Sequence, residues 1–176
     1  MRRAVVVATL AVAVGGCASM GVGTKPSAVA NLEPTTGNAV RGTVTFTQDG
    51  DAVRVSATVS GLKPGAQHGF HVHEKGDCSS GDGMSTGGHF NPDAQPHGPQ
   101  SSPHHAGDMP SLSADSYGNA TASFTLKGVS VGGGAADLVG RGLIVHRDPD
   151  DYTTQPTGNA GPRIACAVIV AGGPRL

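Results

Sequence analysis

The chain has 176 residues, enough for one domain with a substantial core. It has no Trp, only 3% aromatic and 14% charged residues, and 28 Gly, which argues against a helical core and for short strands joined by long loops. A formal net charge of −1, with no basic run, leaves nucleic-acid binding without support.

The first sixteen residues read as a targeting segment. Arg2 and Arg3 form a positive start, and the apolar stretch from Ala4 to Val14 is too short to span a bilayer. Val14-Gly15-Gly16-Cys17 resembles a bacterial lipobox, in which cleavage precedes the Cys and its sulfur is acylated. The alternative is a plain signal peptide in which Cys17 is incidental. The lipoprotein reading implies an exported protein, in the bacterial periplasm or cell envelope, that meets the membrane only through its N-terminal lipid. The count of three Cys agrees with it. If Cys17 carries lipid, Cys78 and Cys166 remain as one disulfide closing a long loop, which in an oxidising compartment contributes about 2–4 kcal/mol.

Residues 18–34 are small, polar and Pro-containing, and read as a flexible tether, so that the folded domain is expected over 35–176. From Val40, the run Val-Arg-Gly-Thr-Val-Thr-Phe-Thr alternates with period two, as does the run from Ala52 to Val59. Asp49-Gly50 between them is a hairpin signal. Further strands are expected at Gly69–His73, Ala120–Leu126, Leu143–His146 and Ile164–Val170. No segment has helical periodicity and no repeat is present. Two long loops, about 74–110 and 147–162, separate the strands; loops of that length inside a compact domain are usually functional or disordered, and four of the eight His in the first favour function.

The histidines cluster where those loops meet the strands. His71 and His73 stand one residue apart in a strand-like run, so both imidazoles leave the same face. His89, His97 and His105 follow in the first loop, with Asp108 three residues beyond His105, and His146 ends a later strand. Several imidazoles with a single carboxylate suit zinc and copper better than calcium or magnesium. His68 and His104 are expected to be non-ligands, with His68 packed or hydrogen-bonded. Lys75, Arg147 and Asp151 read as solvated loop charges.

At this point the residues resemble a family. Gly61-Leu-Lys-Pro-Gly-Ala-Gln-His-Gly-Phe-His-Val-His-Glu is similar to the first signature of copper/zinc superoxide dismutases. Gly87-Gly-His-Phe-Asn-Pro, His105-Ala-Gly-Asp-Met-Pro and Leu143-Ile-Val-His match the other ligand segments, and Gly158-Asn-Ala-Gly-Pro-Arg-Ile-Ala-Cys the second signature. The resemblance runs in order from about Val40 to Val170. It implies an all-β, eight-stranded Greek-key barrel or sandwich, immunoglobulin-like in layout, with the metals held outside it between two long functional loops. It assigns one copper to His71, His73, His89 and His146, and one zinc to His89, His97, His105 and Asp108, with His89 as the shared imidazolate. Asp150 would be the carboxylate that bonds one ligand of each metal, and Arg163 the cation beside the open copper position. The implied reaction turns two superoxide anions into oxygen and hydrogen peroxide, and a homodimer is among the assemblies the family allows.

The chain departs from the family in three places. Cys78 follows His73 by five residues, as in bacterial members, and Ala167 replaces the Gly common after the second Cys. The second loop is short and contains no Lys, with Arg147 its only cation before Arg163. The family is a known example of electrostatically steered association, and this chain is expected to show only a modest form of it. Two rival readings are a metal-binding module without catalysis and a structural cell-surface domain. The full ligand set with Arg163 favours the enzyme.

Overall fold

The computed structural model describes residues 25–172. The targeting segment 1–16 and Cys17 with its proposed lipid lie outside the described residues.

Strand β1 (Ser27–Pro34) opens the fold, followed by β2 (Arg41–Asp49) and β3 (Ala52–Ser60). The expected tether is therefore corrected over 27–34, which forms a full sheet strand. Its buried residues Ala28, Ala30 and Leu32 alternate with outward ones, but two of the three are Ala, so the period-two signal is weak to the eye. The β2–β3 hairpin turns at Gly50-Asp51, where Asp49 pairs with Ala52 and Gly50 takes the positive φ of 66° that such a turn requires.

The chain then supplies β4 (Gln67–His68), β5 (Phe70–His73), a short 3₁₀ turn at Met84–Thr86, β6 (Leu112–Ser113), β7 (Ala120–Lys127), β8 (Gly142–His146), β9 (Arg163–Val168) and β10 (Val170–Ala171). One antiparallel sheet runs β5-β8-β9-β1-β2-β3-β7, with β10 on β1, and β4 pairs with β6. Because β4 leads into β5 and β6 into β7, that small ladder links the segments entering the two sheet edges, and the sheet curls toward a barrel. This is the expected all-β Greek-key architecture, with no α-helix among the described residues. Phe46, Leu32, Val44, Val53, Val55, Leu126 and Leu143 fill its interior. Burial of about 25 cal/mol per Å² of apolar area makes this core the main source of stability.

Two further features aim the fold at the histidines. β5 and β8 are buried on both faces, so His71, His73 and His146 project from strands fixed by packing rather than from free loops. A disulfide joins Cys78 to Cys166, with Cα atoms 6.0 Å apart, as the cysteine count leads one to expect. It ties the 74–110 loop to β9.

Candidate metal centre

The long first loop is laid against β5 by backbone contacts. Val72 N–H donates to Gly107 O and Phe90 N–H to Val72 O, both at 2.9 Å, and Gly107 N–H donates to Phe90 O at 2.8 Å. Gly107 is required at this crossing, since a Cβ there would lie 2.2 Å from Val72 O. These bonds set His89 opposite His73 and Asp108 opposite His71. The loop thus returns two donors to the strand that carries two others.

Seven side chains converge as two groups of four, with His89 in both: His71, His73, His89 and His146, then His89, His97, His105 and Asp108. Within each group one donor atom per residue lies within 4.8 Å of the others, and all seven residues are buried. The outward ring nitrogens are fixed by hydrogen bonds: His73 Nδ1 to Gly87 O at 2.9 Å, His146 Nδ1 to Gly161 O at 2.9 Å, and His71 Nε2 to Asp150 Oδ2 at 2.7 Å. Each N–H is thereby committed outward and the lone pair is left facing in. Those inward atoms, His71 Nδ1, His73 Nε2, His89 Nε2 and His146 Nε2, are buried without a hydrogen-bond partner. Four orphaned lone pairs aimed at one another would be costly unless a cation sits among them.

The second group passes a geometric test for zinc. Four donors at about 2.0–2.1 Å around a tetrahedral ion lie about 3.3 Å from one another. His89 Nδ1, His97 Nδ1 and His105 Nδ1 lie 2.8, 3.0 and 3.3 Å from Asp108 Oδ1, and His105 Nδ1 is 3.4 Å from His89 Nδ1. These separations match the edges of such a tetrahedron. Asp108 Oδ2 is held by the N–H groups of Gly98 and His105, at 3.1 and 3.0 Å.

Charge follows the geometry. Burial, aided by the neighbouring His71, pushes His146 down to about 3, and burial lowers His89 to about 4 despite its bond to Asp108. His73 is held well below the ordinary value by burial and by His89 and Arg163. These imidazoles are neutral, and hence ligating, at neutral pH. Burial also opposes a charge on His97, yet hydrogen bonds to Asp108 and Asp150 outweigh it and raise His97 to about 9. Burial works against ionisation of both carboxyls, but donors from His105, His89 and His97 hold Asp108 far below its usual range, and His71 and His97 do the same for Asp150.

Asp150 stands between the groups, accepting from His71 Nε2 at 2.7 Å and His97 Nε2 at 2.9 Å. Arg163 is half-buried. Its guanidinium donates to Gly83 O, Thr86 Oγ1 and Gly87 O at 2.7–2.8 Å, and it lines, with His146 and Met84, a depression of about 270 Å³ that opens to solvent. His68 and His104 join neither group. His68 is fully buried with Nδ1 on His146 O at 2.9 Å, and His104 Nδ1 meets Ser102 O. Arg147 is paired with Asp148 at 3.0 Å. Asp151, expected to be merely solvated, instead caps its own loop, accepting from Thr153 and Thr154 N–H at 2.9 and 2.8 Å. Sequence reading passed over Tyr152 and Gln155, polar residues whose contacts lie 41 and 58 positions away.

Known proteins agree with this arrangement. The family profile for copper/zinc superoxide dismutase matches residues 40–169. A Cu-Zn superoxide dismutase of Paramecium bursaria Chlorella virus 1 is 44% identical over 154 residues, covering 83% of this chain and 79% of its own. A second, Cu-Zn superoxide dismutase 2 of Brassica juncea, is 45% identical over 139 residues, covering 74% and 89%. Among solved structures, the clock protein EA4 aligns with a TM-score of 0.75 at 38% identity, over 85% of this chain and 97% of that one. A double mutant of a SOD-like protein from Bacillus subtilis aligns at 0.73 and 35%, over 81% and 96%. With two buried donor groups suited to copper and zinc and this degree of likeness, the chain belongs to the copper/zinc superoxide dismutase family and is a superoxide dismutase.

Proposed function

We infer that the chain dismutates superoxide outside the cytoplasm of a bacterium, anchored by a lipid on Cys17, with His89 as an imidazolate shared between copper and zinc. The observation that carries the shared ring is the placement of its two nitrogens. His89 is in both groups, its Nδ1 lies 2.8 Å from Asp108 Oδ1, and its Nε2 is buried without a hydrogen-bond partner, which supports Nε2 serving the His71, His73 and His146 group. Among the described residues, His89 is the one that the two groups share.

When bound, copper supplies a one-electron couple for the two half-reactions, and zinc, which has no redox chemistry, supplies fixed positive charge. The chain's own groups do the rest. Arg163 attracts the anion and offers N–H donors in the depression it lines together with His146. Its Nη1 and Nη2 bonds to the 83–87 carbonyls and Thr86 hold it in one pose, so an arriving oxygen anion meets an oriented donor face. His89 Nε2 is the atom able to take a proton when the centre gains an electron and release it afterwards, keeping net charge nearly constant. Asp108 and Asp150 remain ionised throughout and fix the orientation of His97, His89 and His71. Placement outside the cytoplasm is supported by the Cys78–Cys166 disulfide, which persists in oxidising compartments.

The test is to load the mature protein with copper and zinc and follow superoxide consumption, with His89→Ala as comparison. The inference predicts rapid consumption by the loaded protein and loss of it in the variant. Stoichiometric metal uptake without consumption would instead support a metal-binding module.

A further inference from the structure

The 147–162 loop contributes no atom to either donor group, yet it grips the zinc-side segment at two places. Gln155 pairs with the backbone of His97 in both directions: His97 N–H donates to Gln155 Oε1 at 2.8 Å, and Gln155 Nε2 donates to His97 O at 2.8 Å. The hydroxyl of Tyr152 accepts from Ser111 N–H at 2.9 Å and donates to Ser111 Oγ at 3.0 Å, three residues beyond Asp108. Tyr152 holds a φ of +56°, a costly backbone for a bulky residue, and its N–H donates to Asp150 Oδ1 at 2.7 Å. Gly158 completes the closure. A Cβ there would lie 1.8 Å from Asp150 Oδ1 and 2.5 Å from His97 Nε2, so the loop seats directly on the His97 ring.

An ion held by four side chains leaves by stepwise detachment, and the donors on the least constrained backbone detach first. His71, His73 and His146 project from packed strands. His97 lies in a stretch without regular structure, between residues 91 and 104, and its backbone N–H and C=O both end on Gln155. We propose that Tyr152 and Gln155 are positioning residues, a two-point latch that sets how fast zinc leaves by restraining His97 and the segment following Asp108. Each residue makes two neutral hydrogen bonds, and losing both raises the population of the opened state by about fivefold or more. Copper retention is affected less, because the two latch side chains touch no residue of β5 or β8 and reach the copper group only indirectly, through Asp150 and His89.

The proposal rests on zinc occupying the His89, His97, His105 and Asp108 group, and the experiment separates the two ideas. The copper- and zinc-loaded protein is mixed with a chromophoric zinc chelator, and release of both metals is timed for wild type, Tyr152→Phe and Gln155→Ala. The expected result is zinc release faster by about fivefold or more in each variant, with copper release within about twofold of wild type. Cobalt placed in the zinc site should show an altered visible spectrum in Gln155→Ala, which general loosening of the barrel would not produce. Tyr152→Phe keeps the ring and its packing, so the test stands even if Gln155→Ala folds poorly. Zinc release at the wild-type rate in a folded variant overturns the latch, as does equal acceleration of both metals. Failure of the wild type to take up zinc or cobalt overturns the underlying site assignment instead.

Discussion

Replacing Cys78 by Ser removes the one covalent tie between the ligand loop and β9. The bridge spans 88 positions. Closing a loop of that length removes unfolded-chain entropy equivalent to about 4.5 kcal/mol at 25 °C, and measured losses for native bridges run about 2–5 kcal/mol. For a domain of this size each kcal/mol moves the unfolding midpoint by about 2–4 °C, so a fall of about 10 °C is expected. The same loop holds Arg163 through Gly83, Thr86 and Gly87, and its Gly81 carbonyl accepts from Thr36 N–H at 2.8 Å. Those contacts persist in the folded variant, so the loss should appear mainly as stability and metal retention, with a smaller loss of rate. Thermal unfolding of the metal-free protein under oxidising conditions is the assay. Because both sulfurs serve one bond, Cys78→Ser, Cys166→Ser and the double variant should agree within about 0.5 kcal/mol. A midpoint within about 3 °C of wild type would refute the reasoning, because the chain-entropy argument leaves no route to so small a change.

Arg163→Ala should leave both metals bound and lower the second-order rate with superoxide by about tenfold or more, measured by pulse radiolysis; an unchanged rate would remove Arg163 from the site. Since Arg147 is already paired with Asp148, the wild-type rate should fall only modestly between low and physiological salt, and a steep fall would show that other cations steer the anion. Stability of the metal-free protein should decline as pH drops from about 6.5 toward 4. His89 and His146, depressed to about 4 and about 3, stay neutral when folded while the unfolded chain takes up protons. His97, raised to about 9, acts oppositely, stabilising fully below 6.5 and losing that contribution as pH rises through 9. Urea titrations from about pH 4 to 9 check both signs: a flat profile from 6.5 to 4 would contradict the first, and one from 6.5 to 9 the second. For the same reason zinc uptake at neutral pH should displace about one proton from His97, read as a buffer-dependent binding enthalpy.

Much of this centre is legible in the residues. The His-x-His spacing on a strand is enough to place two imidazoles on one face, and resemblance extends the set to all seven donors. What escaped reading has physical causes. β1 hides because Ala28 and Ala30 bury little area, and without a sheet neighbour in view they look like linker. β4 and β6 are two residues each, too short for any periodicity. The grip of Gln155 on His97 and of Tyr152 on Ser111 depends on loops meeting in space, which no local pattern encodes. Asp151 shows the converse: its exposure was legible, but its use as a turn cap follows only from the backbone path of Thr153 and Thr154.

Electron paramagnetic resonance of the protein carrying copper(II) in both donor groups bears most directly on the shared ring of His89. If one imidazolate joins the two ions, their spins couple through it and the ordinary copper(II) signal is largely lost. Two independent copper(II) signals at full intensity, unchanged in His89→Ala, would contradict the account.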